Sequence, residues 1–310
     1  MGAHRIDSSA GSAAKGKLSS VTKKRLVRFV TLYPKALVSD DSKVVHDIRV
    51  ASRRLQQLLQ LICPRAKSSG RKKLLRRLRK VRRAFGPCRN LDVNLNLVRG
   101  RIETTRAASA RQAWEAVRVW LEEKRSAALE AARVELRQHE LVGLIERLEL
   151  LLENAQDEPE ALTRLWERTK QVSAQWISVL DSAKANPDTD RIHAFRIAGK
   201  KLRYCAELLG ELGNSAVKPI INALKSLQDD LGTWHDNSVL RDHVGEFIRR
   251  PSFMQDEPRM CRALLREMER DQRRDRAMID DIMNKAAKIA QDWLELESKV
   301  PADDKAQKDQ

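Results

Sequence analysis

Two segments of this chain set histidine and arginine at spacings that share one helical stripe. His46, Arg49, Arg53 and Arg54 fall at i, i+3, i+7 and i+8, and His193, Arg196, Lys200 and Lys201, followed by Arg203, repeat the arrangement. Between them Lys72, Arg76, Arg79 and Arg83 form a line, with Lys73, Arg77 and Lys80 beside it and Arg89 after it; Lys225 and His235 belong to the later copy. Neighbours on such a line stand about 5–6 Å apart at ~1.5 Å rise per residue. Fixed cations at that repeat suit a repeating anion, and a histidine beside phosphates gains positive charge more readily.

The plain alternative is a set of solvated helix faces. Against it, Arg49 and Arg196 recur with their neighbours at matched positions. Acids that could pair at i,i+4 are also nearly absent between 65 and 91, so the cations repel one another unless an anion neutralises them. Catalytic readings are weaker. His46-Asp47 and His235-Asp236 have the look of metal-dependent phosphohydrolases, yet Asp47 becomes Ala194 in the second copy and His235 becomes Arg89 in the first. Asp229, Asp230 and Asp236 could hold a divalent ion, but Asp229 and Asp230 read better as caps or ion-pair partners. Glu295 to Lys299 fits an E-x-E-x-K pattern that triphosphate tunnel enzymes carry on a barrel strand; here it ends a helix. Phosphate loops, nucleophile elbows and Cys–His pairings are missing, so no catalytic residue, metal or cofactor is expected.

The elements that must hold these residues are helices. Gly and Pro are few, apolar residues recur at three and four, and no strand is convincing, which gives an all-α chain. Expected helices run from about 18 into Leu32-Tyr33-Pro34, then at 43–62, 70–85, 88–104, within 107–155, and at 159–183, 190–212, 216–231, 234–249 and 258–298. Residues 1–17 and 301–310 are expected to be disordered tails. On the core side of the first His-Arg helix lie Ile48, Ala51, Leu55, Leu58, Leu59 and Ile62; on that of the second lie Phe195, Ala198, Leu202, Cys205 and Leu209.

Charge agrees with the stripes. Of 310 residues, 60 are Lys or Arg and 43 Asp or Glu, a net +17, and Lys43 to Arg106 alone holds 19 bases against Asp47, Asp92 and Glu103. Such a balance points to an anionic partner. Cys63, Cys88, Cys205 and Cys261 lack zinc or C-x-x-C spacing and read as reduced thiols. No signal peptide or apolar span is visible, so a cytoplasmic protein without membrane insertion is expected.

Internal similarity is decisive for organisation. His46 to Leu55 aligns with His193 to Leu202, an offset of 147, with His, Arg, Ala and Leu identical. Asp41-Ser42 and Asp188-Thr189 supply matching N-cap candidates. At an offset of 146, Leu74, Leu75, Leu78, Val81, Phe85 and Gly86 correspond to Ile220, Ile221, Leu224, Leu227, Leu231 and Gly232, each Gly standing where its helix should end. The first repeat is placed at about 18–156 and the second at 157–300.

With these paired segments and the Leu227-Gln228-Asp229-Asp230-Leu231-Gly232 run, the chain from about 18 to 298 resembles the CHAD family, the conserved histidine alpha-helical domains. The resemblance implies two antiparallel helical bundles related by pseudo-twofold symmetry, with basic helices at a central groove or pore. It also implies non-catalytic binding of inorganic polyphosphate, for which phosphate or sulfate can substitute in crystals, and association with polyphosphate granules. By motif position His46, Arg49, Arg53 and Arg54 match the first basic helix, and His193, Arg196, Lys200, Lys201 and Arg203 the second. The sequence departs at Asn90, where the family's first copy usually has Asp. Nucleic acid is the rival partner, through duplex phosphates alone, since Arg65 to Arg83 holds no aromatic on which a single-stranded base could stack. A metal-dependent phosphohydrolase is the third reading, and oligomeric state is left open.

Overall fold

Runs of Leu, Ala, Arg and Glu, interrupted at few places by Gly or Pro, fold almost wholly as helix. The computed structural model describes residues 8–62, 69–137 and 161–299, with Gly143, Glu146 and Leu150 between. Every regular element among the described residues is helical: α1 (Ser8–Ala36), α2 (Ser42–Ile62), α3 (Ser69–Ala84), α4 (Gly86–Thr104), α5 (Ala108–Arg137), α6 (Ala161–Ala185), α7 (Thr189–Glu211), a 3₁₀ turn (Ser215–Val217), α8 (Lys218–Ile248), α9 (Pro251–Asp256) and α10 (Pro258–Lys299). The chain divides into two compact units, Met1–Pro159 with Thr233–Arg276 and Glu160–Gly232 with Ala277–Gln310. Both α8 and α10 therefore contribute one part to each unit.

In the first unit α1 packs on α2, α2 on α3 and α4, and α5 on α3 and α4. The expected inward stripe of α2, Ile48, Ala51, Leu55, Leu58 and Leu59, is buried, as are Leu74, Leu75, Leu78, Val81 and Phe85 of the next hairpin arm. Full burial of such a side chain stabilises by about 1.5–3 kcal/mol. Ser52 Oγ donates to the Leu78 carbonyl at 3.0 Å, fixing α2 against α3. A second cluster gathers around Trp114 of α5, with Leu91, Leu95 and Val98 from α4, Val244 and Phe247 from α8, and Leu264 from α10. Buried ion pairs set the register of these helices: Asp92 with Arg125 at 2.9 Å, Asp271 with Arg101 at 2.7 Å, and Asp275 with Arg241.

In the second unit α6 packs on α7. Trp176 stacks on Phe195 with ring centroids 5.7 Å apart, and both are fully buried. Gly199 sits beneath this stack. A Cβ there would stand 2.9 Å from Gln228 Nε2 and 3.1 Å from Trp176 Nε1, so a side chain at 199 would force these neighbours to shift. Gly213 ends the α7 region at φ 111°, a left-handed turn that favours glycine.

The expected caps form. The Lys43 amide donates to Asp41 Oδ1 at 2.8 Å before α2, and the Arg191 amide to Asp188 Oδ1 at 2.8 Å before α7. Three boundaries differ from expectation. α1 starts at Ser8, well before residue 18. α5 is described only to Arg137, and most of 138–160 lies outside the described residues, as do 1–7 and 300–310. Finally, the two helices expected at 216–231 and 234–249 are one continuous α8 running through Gly232. Proline explains the contrast between the two stretches. After Gly86 comes Pro87, whose ring cannot continue a helix and opens α4; after Gly232 comes Thr233, which keeps its N–H and lets the helix proceed.

Candidate anion-binding site

Arg49 is the centre of the site in the first unit. It leaves α2 one turn after His46, is half-buried, and donates through Nη1 to the Arg82 carbonyl at the end of α3. The chain can approach it because residue 86 is glycine: a Cβ there would lie 3.3 Å from Arg49 Nη1. Together the break between α3 and α4 and the facing helices enclose a cleft of about 630 Å³. Its polar lining is Arg49, Arg82, Arg83, Asn90, Lys124 and His243, with no carboxylate among the lining side chains.

Charge is crowded here. Burial, followed by the charges of Arg53, Arg82 and Arg89, lowers the Arg49 guanidinium to about 10. Burial and then Arg89 lower His46 against the opposing pull of Asp47, with Arg53 and Arg49 adding to the depression. Burial and Lys124 likewise lower His243, opposed by Glu246 and Asp242. An anion in the cleft would offset the crowding at Arg49 and His243, which line it. Lys124 contributes less than its charge suggests, because Glu246 holds its Nζ at 2.6 Å and Trp120 lies beneath it, with Nζ 4.4 Å from the ring centroid. The Arg82 guanidinium donates to Gln56 at 3.1 Å, a neutral partner. The Asn94 side-chain amide hydrogen-bonds His243 Nδ1 at 2.6 Å.

Of the residues expected from sequence, His46, Arg49, Arg53, Arg54, Lys72, Lys73, Arg76, Arg77, Arg79, Lys80, Arg83, Arg89 and His235 fall in the first unit. His193, Arg196, Lys200, Lys201, Arg203 and Lys225 fall in the second. Only Arg49 and Arg83 of these line the cleft. His46, Lys72, Lys73, Arg76, Arg83, His193, Lys201 and Lys225 are exposed on their helices, and the others are half-buried. Arg203 pairs with Glu207 at 2.5 Å and lies over the Tyr204 ring, and Lys80 meets Glu135 at 3.4 Å. His235 contacts Asp236 at 3.2 Å.

Arg82, Lys124 and His243 were not singled out by sequence reasoning. Arg82 stood in the basic run but off its main line, whereas Lys124 and His243 lie in segments with no repeated motif, and only packing brings them to the cleft. The acids that might have served a metal are engaged otherwise: Asp230 is held by Lys285 and Asp236 by His235. Among the described residues no group of three or more His, Cys, Asp or Glu is placed to hold a metal ion. Burial pushes the Cys88 and Cys205 thiols up to about 11, leaving them protonated at neutral pH. No helix among the described residues is long and apolar enough to cross a membrane.

Residues 23–245 match the model of the CHAD domain. The fold is similar to the crystal structure of the CHAD domain from the plant Ricinus communis, with a TM-score of 0.65 and 18% identity, covering 86% of this chain and 91% of that one. None of the curated proteins matches the chain in sequence.

Proposed function

This chain belongs to the CHAD domain family, and from that premise we propose that it binds inorganic polyphosphate without catalysing a reaction, in association with polyphosphate granules in the cytoplasm. The observation that carries the reading is Arg49: a half-buried guanidinium with no carboxylate lining its cleft, flanked by Arg82, Arg83 and the exposed cations of α2 and α3. A cation in that position is stabilised by an anion that the protein itself does not supply. Polyphosphate repeats its charge at short intervals, as the row of cations on α3 does. The matched Arg196 on α7 gives the second unit a cationic helix of the same pattern.

The test is the pair Arg49→Glu with Arg196→Glu. The double variant should keep its helicity by circular dichroism and lose most polyphosphate affinity; retained affinity would move the site elsewhere. Duplex DNA or RNA that displaces long-chain polyphosphate at equal phosphate concentration, in about 0.15 M salt, would make nucleic acid the preferred partner. Metal-dependent phosphate release that disappears in Asp229→Asn or Asp236→Asn would instead make the protein a hydrolase.

A further inference from the structure

The first part of α10 carries a row of arginines outside the segment that matches the family. Arg259, Arg262, Arg266, Arg270 and Arg273 follow one another at steps of three, four, four and three residues, and all are exposed. At 3.6 residues per turn they fall within an arc of about 80°, on the side of the helix away from the buried Cys261, Leu264, Asp271 and Asp275. The row extends about 21 Å at ~1.5 Å per residue.

Acids on this stretch pair with part of the row, at its C-terminal end. Asp271 and Asp275 turn inward to Arg101 and Arg241. Glu267 pairs with Arg270 at 2.7 Å, and Glu269 stands 3.8 Å from Arg273. That sets Arg262 one turn from Arg266, and Arg266 one turn from Arg270, with like charges adjacent. A merely solvated face interleaves Glu with Lys at this spacing. Every member of the row is arginine, whose planar fork grips phosphate oxygens with two parallel hydrogen bonds where lysine offers a point charge.

We propose that this arginine row is a second polyphosphate-binding surface, so that one molecule engages two stretches of polymer. The inference rests on the reading that the chain binds polyphosphate. A flexible polyanion can lie along all five residues, whereas a rigid duplex meets a straight helix edge only where its strands cross it. The row also has no aromatic on which unpaired bases could stack.

The experiment uses the full chain with Arg262→Glu, Arg266→Glu and Arg270→Glu combined, beside the same three positions changed to Lys. Short-chain polyphosphate is titrated calorimetrically, and long-chain polyphosphate is followed by affinity and by light scattering. Short chains bound per protein should fall from two to one in the Glu variant, with long-chain affinity dropping on the order of 10²-fold and cross-linking lost. The Lys variant should retain most of both, which separates loss of charge from loss of fold. Unchanged stoichiometry in the Glu variant overturns the second surface while leaving the first in place. If the unaltered protein takes up no polyphosphate at all, the functional reading itself fails. Loss of duplex DNA binding with polyphosphate stoichiometry intact would assign the row to nucleic acid and sink the proposal.

Discussion

On the proposed reading, two histidines make polyphosphate binding depend on pH. His46 and His243 are held below the ordinary imidazole value of 6.5 by burial and neighbouring cations, so both are neutral at neutral pH in the free protein. A phosphate bound beside them favours the charged form, the complex takes up protons, and affinity rises as pH falls. Polyphosphate affinity should therefore increase between about pH 8 and pH 6, and His46→Ala and His243→Ala should each flatten that rise; an unaltered slope in both would place the imidazoles away from the ligand. Folding stability has its own sign. With the folded value below the unfolded one, the two histidines cost nothing above the unfolded value. Stability is lost as pH falls below it, and the loss is complete by the folded value. Sequence alone located Arg49 and Arg83 because they repeat or lie in a dense run. It passed over Lys124 and His243, since a residue without a motif becomes part of a site only through the helix packed beside it.

At the scale of the element, two glycines inside helices have opposite consequences. Gly199 has Trp176 and Gln228 within contact of the missing Cβ, and Trp176 is fully buried and stacked on Phe195. Gly199→Ala should destabilise by about 1–3 kcal/mol through overpacking. Gly232 has nothing within 4 Å of the missing Cβ and lies inside continuous α8. Gly232→Ala should stabilise by about 0.5–1 kcal/mol, because alanine gives up less backbone freedom in a helix. Thermal or urea unfolding of both variants checks the pair; a destabilised Gly232→Ala would mean that α8 does break there. Helix periodicity and caps were legible in the sequence, and so was the stop at Pro87. The continuity of α8 through Gly232, where a stop was expected, was not, because glycine only permits a break, while proline imposes one.

Over the whole molecule the excess of cations makes binding a matter of counterion release. The logarithm of polyphosphate affinity should fall linearly with the logarithm of salt concentration, with each phosphate-contacting cation contributing about 0.7 to the slope if the polymer behaves as a single strand. Arg49→Gln with Arg83→Gln should lower the slope by about 1–2, read from titrations between about 50 and 200 mM salt. An unchanged slope would mean that the cleft does not touch phosphate.

The sequence by itself determined the helical class, the apolar stripes, the caps and the identity of the basic helices, because each depends on spacing within one segment. The tandem His-Arg motifs were visible for the same reason. The tertiary structure alone decided that α8 and α10 each belong partly to both units, and that Arg49 rests on the Arg82 carbonyl in a cleft completed by Lys124 and His243. Those facts depend on which distant helices meet and on how far a buried cation is from the nearest acid. Local periodicity carries no record of either distance.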